Sequence, residues 1–292
     1  MIAQRVRAIK AEDYGHLRSL IHEQNPERLA REALERCQGE IPLRPEPPVY
    51  LFVGFFGPDG MTIKGWYGEG KPGHGAVMLL HGIRGDRRKA VNRAQFLQED
   101  GFGVLLIDLQ GHGESSGKVI TFGYREAQSA AVALDYLKKR NPQERIGVIG
   151  ASLGGASALL GDGPLQADAL ILESVFATIE EAHTNRLNAL GFPGRLATPI
   201  IIWQLSLRLG IRASQLRPIE RVPLIKCPVL IMGGRDDKWT PMAETQRMFE
   251  AAPEPKELWL VDGARHTDLY KVAGKEYERR VLGFLNQYLR HN

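Results

Sequence analysis

The sequence is poor in several things. Cysteine occurs twice in 292 residues, at Cys37 and Cys227. Two thiols so far apart, neither in a CxxC pair, do not make a disulfide framework, and a reducing compartment is the expectation. Long apolar runs are missing from the start: MIAQRVRAIKAEDYGHL, residues 1–17, has no hydrophobic segment. Neither a secretory signal nor a membrane span is expected there, and the expected location is cytoplasmic. Blocks of like charge are missing too. The densest basic spot is DRRK at 86–89, and the formal charge of +4 is spread over the whole chain. No recognition motif accompanies it, so a nucleic-acid partner is not expected. No internal repeat or low-complexity tract is visible. No His/Cys cluster has zinc spacing, and no glycine loop has the P-loop lysine. Neither a metal nor a nucleotide cofactor is expected.

What is present is an ordinary globular composition, 43% hydrophobic and 25% charged, large enough for a sizeable core. Residues 2–37 mix charged and apolar residues at helical spacing. The proline-rich IPLRPEPP at 41–48 reads as a stiff linker. Residues 1–48 are therefore expected to form a helical appendage with its linker, and 49–292 the main domain.

In the main domain the rhythm changes. Two β-rich runs, 49–56 and 61–67, flank Gly57–Gly60 and predict an antiparallel hairpin. Short, wholly apolar runs follow at 76–80, 104–108, 146–150, 169–173, 229–233 and 258–261. Strands buried on both faces need such runs. Helical patterns separate them, at 88–99, 124–140, 153–160, 242–252 and 270–289. This alternation predicts an α/β fold, with a mostly parallel sheet covered by helices on both faces. The interval from about 178 to 226 lacks a strand and predicts a short helical cap. Its apolar residues Phe192, Ile200, Ile201, Ile202, Trp203, Leu205, Leu207 and Leu209 would either line an acyl or alkyl pocket or pack the cap on the sheet. Contact of this cap with a membrane surface is the lesser expectation.

Ligands of such sheets bind beyond the carboxyl ends of the strands. Five of those ends combine glycine with Ser, Asp or His: HGIRG (81–85), DLQGHGESSG (108–117), GASLG (150–154), GGRDDKWTP (233–241) and DGARHTDL (262–269). In Gly150-x-Ser152-x-Gly154 a strand precedes the serine and a helix follows it. A tight strand-to-helix turn lifts the serine Oγ clear of the sheet, and neighbouring chains pass so close that the flanking positions must be very small. A serine hydroxyl is a poor nucleophile without a base. His266, after the last strand, is the expected one. His81 and His112 are its rivals, and both would otherwise brace glycine-rich loops. The imidazole needs an acid, Asp237 or its neighbour Asp236, with Asp237 preferred. The oxyanion needs backbone N–H donors, expected from Leu153 and Ile83.

These residues together resemble the α/β-hydrolase superfamily over about residues 49–290. The likeness rests on His81-Gly82, on DLQGHGESSG, on GASLGG, on GRDDKWTP and on GARHTD. In that family the acid follows a glycine as Gly-x-x-Asp and precedes a proline as Asp-x-x-x-Pro. Gly234 and Pro241 then mark Asp237 as the acid. The runs LESVFATIEEA (172–182) and PIERVPLIKCPVLIMGG (218–234) resemble the serine-hydrolase branch near Bem46 and the prolyl-oligopeptidase-like members. The resemblance implies an acyl-enzyme mechanism on a small-molecule ester, through Ser152, His266 and Asp237. Members that cleave carbon–halogen bonds or epoxides use an aspartate nucleophile, and Ser152 argues against those reactions. Thioester or peptide substrates, and a non-catalytic binding protein on the same fold, are the alternatives.

Overall fold

A computed structural model of the chain describes residues 50–56, 60–266 and 268–291. The expected appendage and linker, Cys37 and most of the hairpin loop lie outside the described residues. Among the described residues eight strands form one sheet: β1 (Leu51–Phe56), β2 (Thr62–Gly68), β3 (Ala76–Leu80), β4 (Gly103–Ile107), β5 (Ile146–Ala151), β6 (Ala169–Glu173), β7 (Val229–Gly234) and β8 (Lys256–Val261). Their spatial order is β1-β2-β4-β3-β5-β6-β7-β8. The hairpin β1–β2 is antiparallel, Leu51 opposite Tyr67, and β2 also pairs antiparallel with β4. From β4 to β8 all neighbours are parallel. The apolar runs make sense in this position: β3, β4 and β6 are buried at every residue.

Helices cover the sheet. They are α1 (Val91–Glu99), α2 (Glu126–Arg140), α3 (Leu153–Leu159), α4 (Ile179–Ala189), α5 (Gly194–Leu209), α6 (Met242–Ala251), α7 (Leu269–Ala273) and α8 (Lys275–Leu289). In α2 the buried residues Ala127, Ala130, Ala133, Leu134 and Leu137 recur every three or four positions, which turns one stripe to the core. Its entry is held by Glu126, whose carboxylate accepts from the N–H groups of Thr121 and Gly123 at 2.7 and 2.9 Å.

Two expected helices differ from the structure. The run 88–99 opens as a 3-10 turn at Arg87–Ala90 before α1 begins. The run 270–289 is broken in two at Gly274, whose φ of 53° and ψ of −123° suit a residue without a Cβ. Among the described residues no helix is long and apolar enough to cross a membrane.

The chain lays down β3, moves outward to β4, then returns to the other side of β3 as β5. Connections leave the sheet in opposite directions there, which opens a crevice at the strand ends. The loop after β3 thus lies beside the turn after β5: a side chain placed on Gly82 would meet Ser152 Cβ at 3.7 Å.

Candidate active site

Ser152 stands between β5 and α3 with φ 48° and ψ −109°. A β-carbon residue rarely adopts that conformation, and it persists only where its surroundings hold it. Here the Ser152 N–H donates to the carbonyl of Glu173 at 2.8 Å, and its own carbonyl accepts from Ala156 at 2.9 Å. The glycines beside it are forced by contact. A Cβ on Gly154 would stand 2.3 Å from the Leu80 carbonyl oxygen, and one on Gly150 would stand 2.7 Å from the Gly155 backbone.

His266, in the loop between β8 and α7, brings Nε2 to 3.3 Å from Ser152 Oγ. Its Nδ1 lies 2.8 Å from Asp237 Oδ2. The other carboxylate oxygen of Asp237 accepts from the N–H groups of Trp239 and Thr240, at 2.8 and 2.9 Å. An acceptor so held places the imidazole proton on Nδ1 and leaves Nε2 free to accept from the serine hydroxyl. Asp237 is buried whereas Asp236 is exposed. The structure therefore joins Ser152, His266 and Asp237, and leaves Asp236 outside.

The two rival histidines hold loops. His81 Nε2 accepts from the Leu109 N–H at 3.1 Å, and its Nδ1 lies 2.8 Å from the Gly82 carbonyl. Burial drives its pKa down to about 4, so it is neutral at ordinary pH. His112 Nδ1 lies 3.0 Å from the Gln110 carbonyl. The loop they brace is closed by Asp108, which accepts from the N–H groups of Arg87 and Glu114 at 2.8 Å each and pairs with the Arg87 guanidinium.

A small cavity, open to solvent, adjoins Ser152. Ile83 and Leu153 border it, with Phe122, Phe176, Ile179, Ala182 and Arg186. Helix α4 thus contributes Ile179, Ala182 and Arg186. None of the eight apolar residues expected from the cap borders this cavity. Ile202, Leu205 and Leu209 pack against the core instead, while Phe192, Ile200, Trp203 and Leu207 are exposed. Seven of the eight lie on α5 and Phe192 just before it, and neither stretch borders the cavity.

Arg186 and Trp239 escape a reading of strand ends. The Arg186 guanidinium lies 5.2 Å from the Trp239 ring, which in turn lies 5.1 Å from the His266 ring. Burial pulls the Arg186 pKa below its usual value, against the attraction of Asp237 and Glu244. Trp239 had a signal, its place two residues after the acid. Arg186 had none, since its position is set by the tertiary packing of α4, whose Ile179 and Ala182 are buried in the core.

Residues 71–209 match a family described as serine aminopeptidase, S33. The chain is 30% identical over 233 residues to the uncharacterized protein Rv2307c of Mycobacterium tuberculosis, spanning 78% of this chain and 76% of that one. The chain belongs to the α/β-hydrolase superfamily. As a member it is also 29% identical over 235 residues to the uncharacterized protein YqkD of Bacillus subtilis, with 78% and 76% covered. Among solved structures this hydrolase is similar to the Pyrococcus furiosus esterase Pf2001. The TM-score is 0.68 at 24% identity, over 83% of this chain and 92% of that one. The α/β-hydrolase fold expected from the strand ends is thus the fold of the chain, and its family makes it a hydrolase.

Proposed function

We propose that this hydrolase cleaves carboxylic esters of small or apolar acyl groups through an acyl-enzyme intermediate. The observation that carries the proposal is the pair of contacts from Ser152 Oγ to His266 Nε2, 3.3 Å, and from His266 Nδ1 to Asp237 Oδ2, 2.8 Å. His266 takes the hydroxyl proton as Ser152 Oγ attacks the ester carbonyl. Asp237 holds the imidazole tautomer and stabilises the imidazolium. The backbone N–H groups of Ile83 and Leu153, both at the cavity, receive the oxyanion. His266 then protonates the leaving alkoxide, the acyl group stays on Ser152, and a water activated by His266 releases the acid.

In this reading residues 49–292 are the catalytic domain, 178–226 its cap, and the setting is cytoplasmic. Cys227 fits a reducing compartment: it is a free, buried thiol whose pKa burial raises to about 11.

The test is turnover of a short-chain aryl ester. Ser152→Ala should lower kcat on the order of 10⁶-fold, as loss of the nucleophile does in a comparable triad. Equal rates would sink the assignment. An organophosphonate should label Ser152 once per chain, which also separates an enzyme from a binding protein.

The matched family's description favours a second reading, an aminopeptidase. An aminopeptidase must hold the substrate's ammonium group, and the residues bordering the cavity include no carboxylate. That supports the ester. Parallel assays with ester, thioester and aminoacyl-amide substrates discriminate, and faster turnover of the amide would displace the ester reading.

A further inference from the structure

Helix α5 is apolar nearly all round, a pattern that belongs to buried helices. One side of it is covered. Thr198 Oγ1 lies 2.8 Å from Thr184 Oγ1 of α4, and Ile202, Leu205 and Leu209 pack toward the core. The opposite side is bare. Leu196, Ile200, Trp203 and Leu207 are 76%, 61%, 63% and 67% exposed. Their spacing of four, three and four residues aligns them in one stripe. Leu190 and Phe192, just before the helix, are exposed as well.

The charges around the stripe say what covers it. Arg195 and Arg208 are both exposed, and at 3.6 residues per turn they project roughly 100° to either side of it. From Gly191 to Ile219 the chain has Arg195, Arg208, Arg212 and Arg217 and no Asp or Glu. Among the described residues only Arg217 of these has a carboxylate within ion-pair distance, that of Glu220. A two-fold contact between two copies through this stripe would set arginine against arginine with no acid between them. A lipid surface supplies what is missing: apolar depth for the stripe and phosphates for the arginines. The exposed stripe, with Trp203 among its apolar residues and an arginine on either side, matches the layers of a membrane interface, where Trp rings and arginine heads sit at headgroup level above apolar depth. Its 16 residues span about 24 Å, too short to cross the hydrocarbon core.

We propose that α5 docks this protein on an anionic lipid surface, with Leu196, Ile200, Trp203 and Leu207 in the acyl boundary and Arg195 and Arg208 at the headgroup phosphates. The docking does not depend on Ser152 being a nucleophile. Its consequence for the site is proximity, because α4, directly behind α5, supplies Ile179, Ala182 and Arg186 to the cavity.

The test is co-sedimentation of the full chain with vesicles of phosphatidylcholine, alone or mixed with phosphatidylserine. Wild type should bind the mixed vesicles and release in high salt. Arg195→Gln with Arg208→Gln should weaken that partition roughly 30-fold, the effect of two basic residues near a charged surface. Ile200→Gln with Trp203→Gln should abolish it without moving the thermal midpoint, since all four positions are exposed. Four results overturn the proposal: no partition to either vesicle, unchanged partition of the Ile200/Trp203 variant, a dimer in solution that this variant splits, or capture of residues 1–48 by a photo-crosslinker at position 203. The third would give the stripe to a second copy, and the fourth to this chain's own N-terminal segment.

Discussion

At the residue scale, geometry separates side chains that sequence leaves equivalent. Asp236 and Asp237 are neighbours in the same loop, but only Asp237 is buried and reaches His266. Glycines divide in the same way. At Gly154 the obstacle to a side chain is the Leu80 carbonyl at 2.3 Å, which is backbone and cannot step aside. Gly154→Ala is therefore expected to cost about 1–3 kcal/mol and to displace the turn that holds Ser152. Urea unfolding and ester turnover would both report it, and wild-type values in both would refute the contact. His81 makes a pH prediction. Its pKa of about 4 in the folded protein lies below the ordinary 6.5, so the unfolded chain binds the proton more readily. The stability due to keeping it neutral is complete above pH 6.5 and is lost as pH falls toward 4, about 3 kcal/mol over that span. His81→Gln keeps a donor and an acceptor but cannot titrate. Its thermal midpoint should fall less steeply than that of wild type between those two pH values, and parallel curves would contradict the assignment.

At the scale of elements, one buried ion cluster joins both halves of the site. Glu173, at the end of β6, receives Arg93 of α1 through Nη2 at 2.6 Å and Nε at 3.2 Å, and also the hydroxyl of Tyr277 in α8. Arg93 Nη2 reaches Asp268 at 2.8 Å, two residues beyond His266. The backbone carbonyl of the same Glu173 holds the Ser152 N–H. Arg93 thus ties the histidine loop to the strand that braces the serine. Arg93→Met should cost about 3–5 kcal/mol, because it strands the Glu173 charge inside the protein. It should also lower kcat more than it raises KM, although Arg93 touches no substrate. Adding Glu173→Leu should restore much of the stability without restoring kcat. A double variant no more stable than the single one would show that the charge is not the cause.

At the scale of the whole molecule, the sheet, its core and the cavity at Ser152 all arise from residues 51–291. If 49–292 is the catalytic domain, as proposed, a protein lacking residues 1–48 should fold cooperatively and turn over an aryl ester at a rate close to that of the full chain. Loss of activity with retained folding would instead make the N-terminal segment part of the site. The strand order puts the ends of β3 and β5 side by side at a crossover, so the loop with Ile83 and the turn with Ser152 border one cavity although about 70 residues separate them.

The sequence by itself determined the α/β alternation, because strands buried on both faces demand unbroken apolar runs that helices do not. It also marked Ser152, His266 and Asp237, because turns at strand ends admit few residue types and these stood out in them. The break at Gly274 was not legible, since a glycine inside a helical pattern is as often tolerated as used. Nor were the cavity wall and the bare stripe of α5. Phe192, Ile200, Trp203 and Leu207 read the same whether they line a pocket, fill a core or face outward, because hydrophobicity is a property of the residue and burial is a property of its neighbours. Only the packing of α5 against α4 and the core decided that Ile202, Leu205 and Leu209 have neighbours and these four do not.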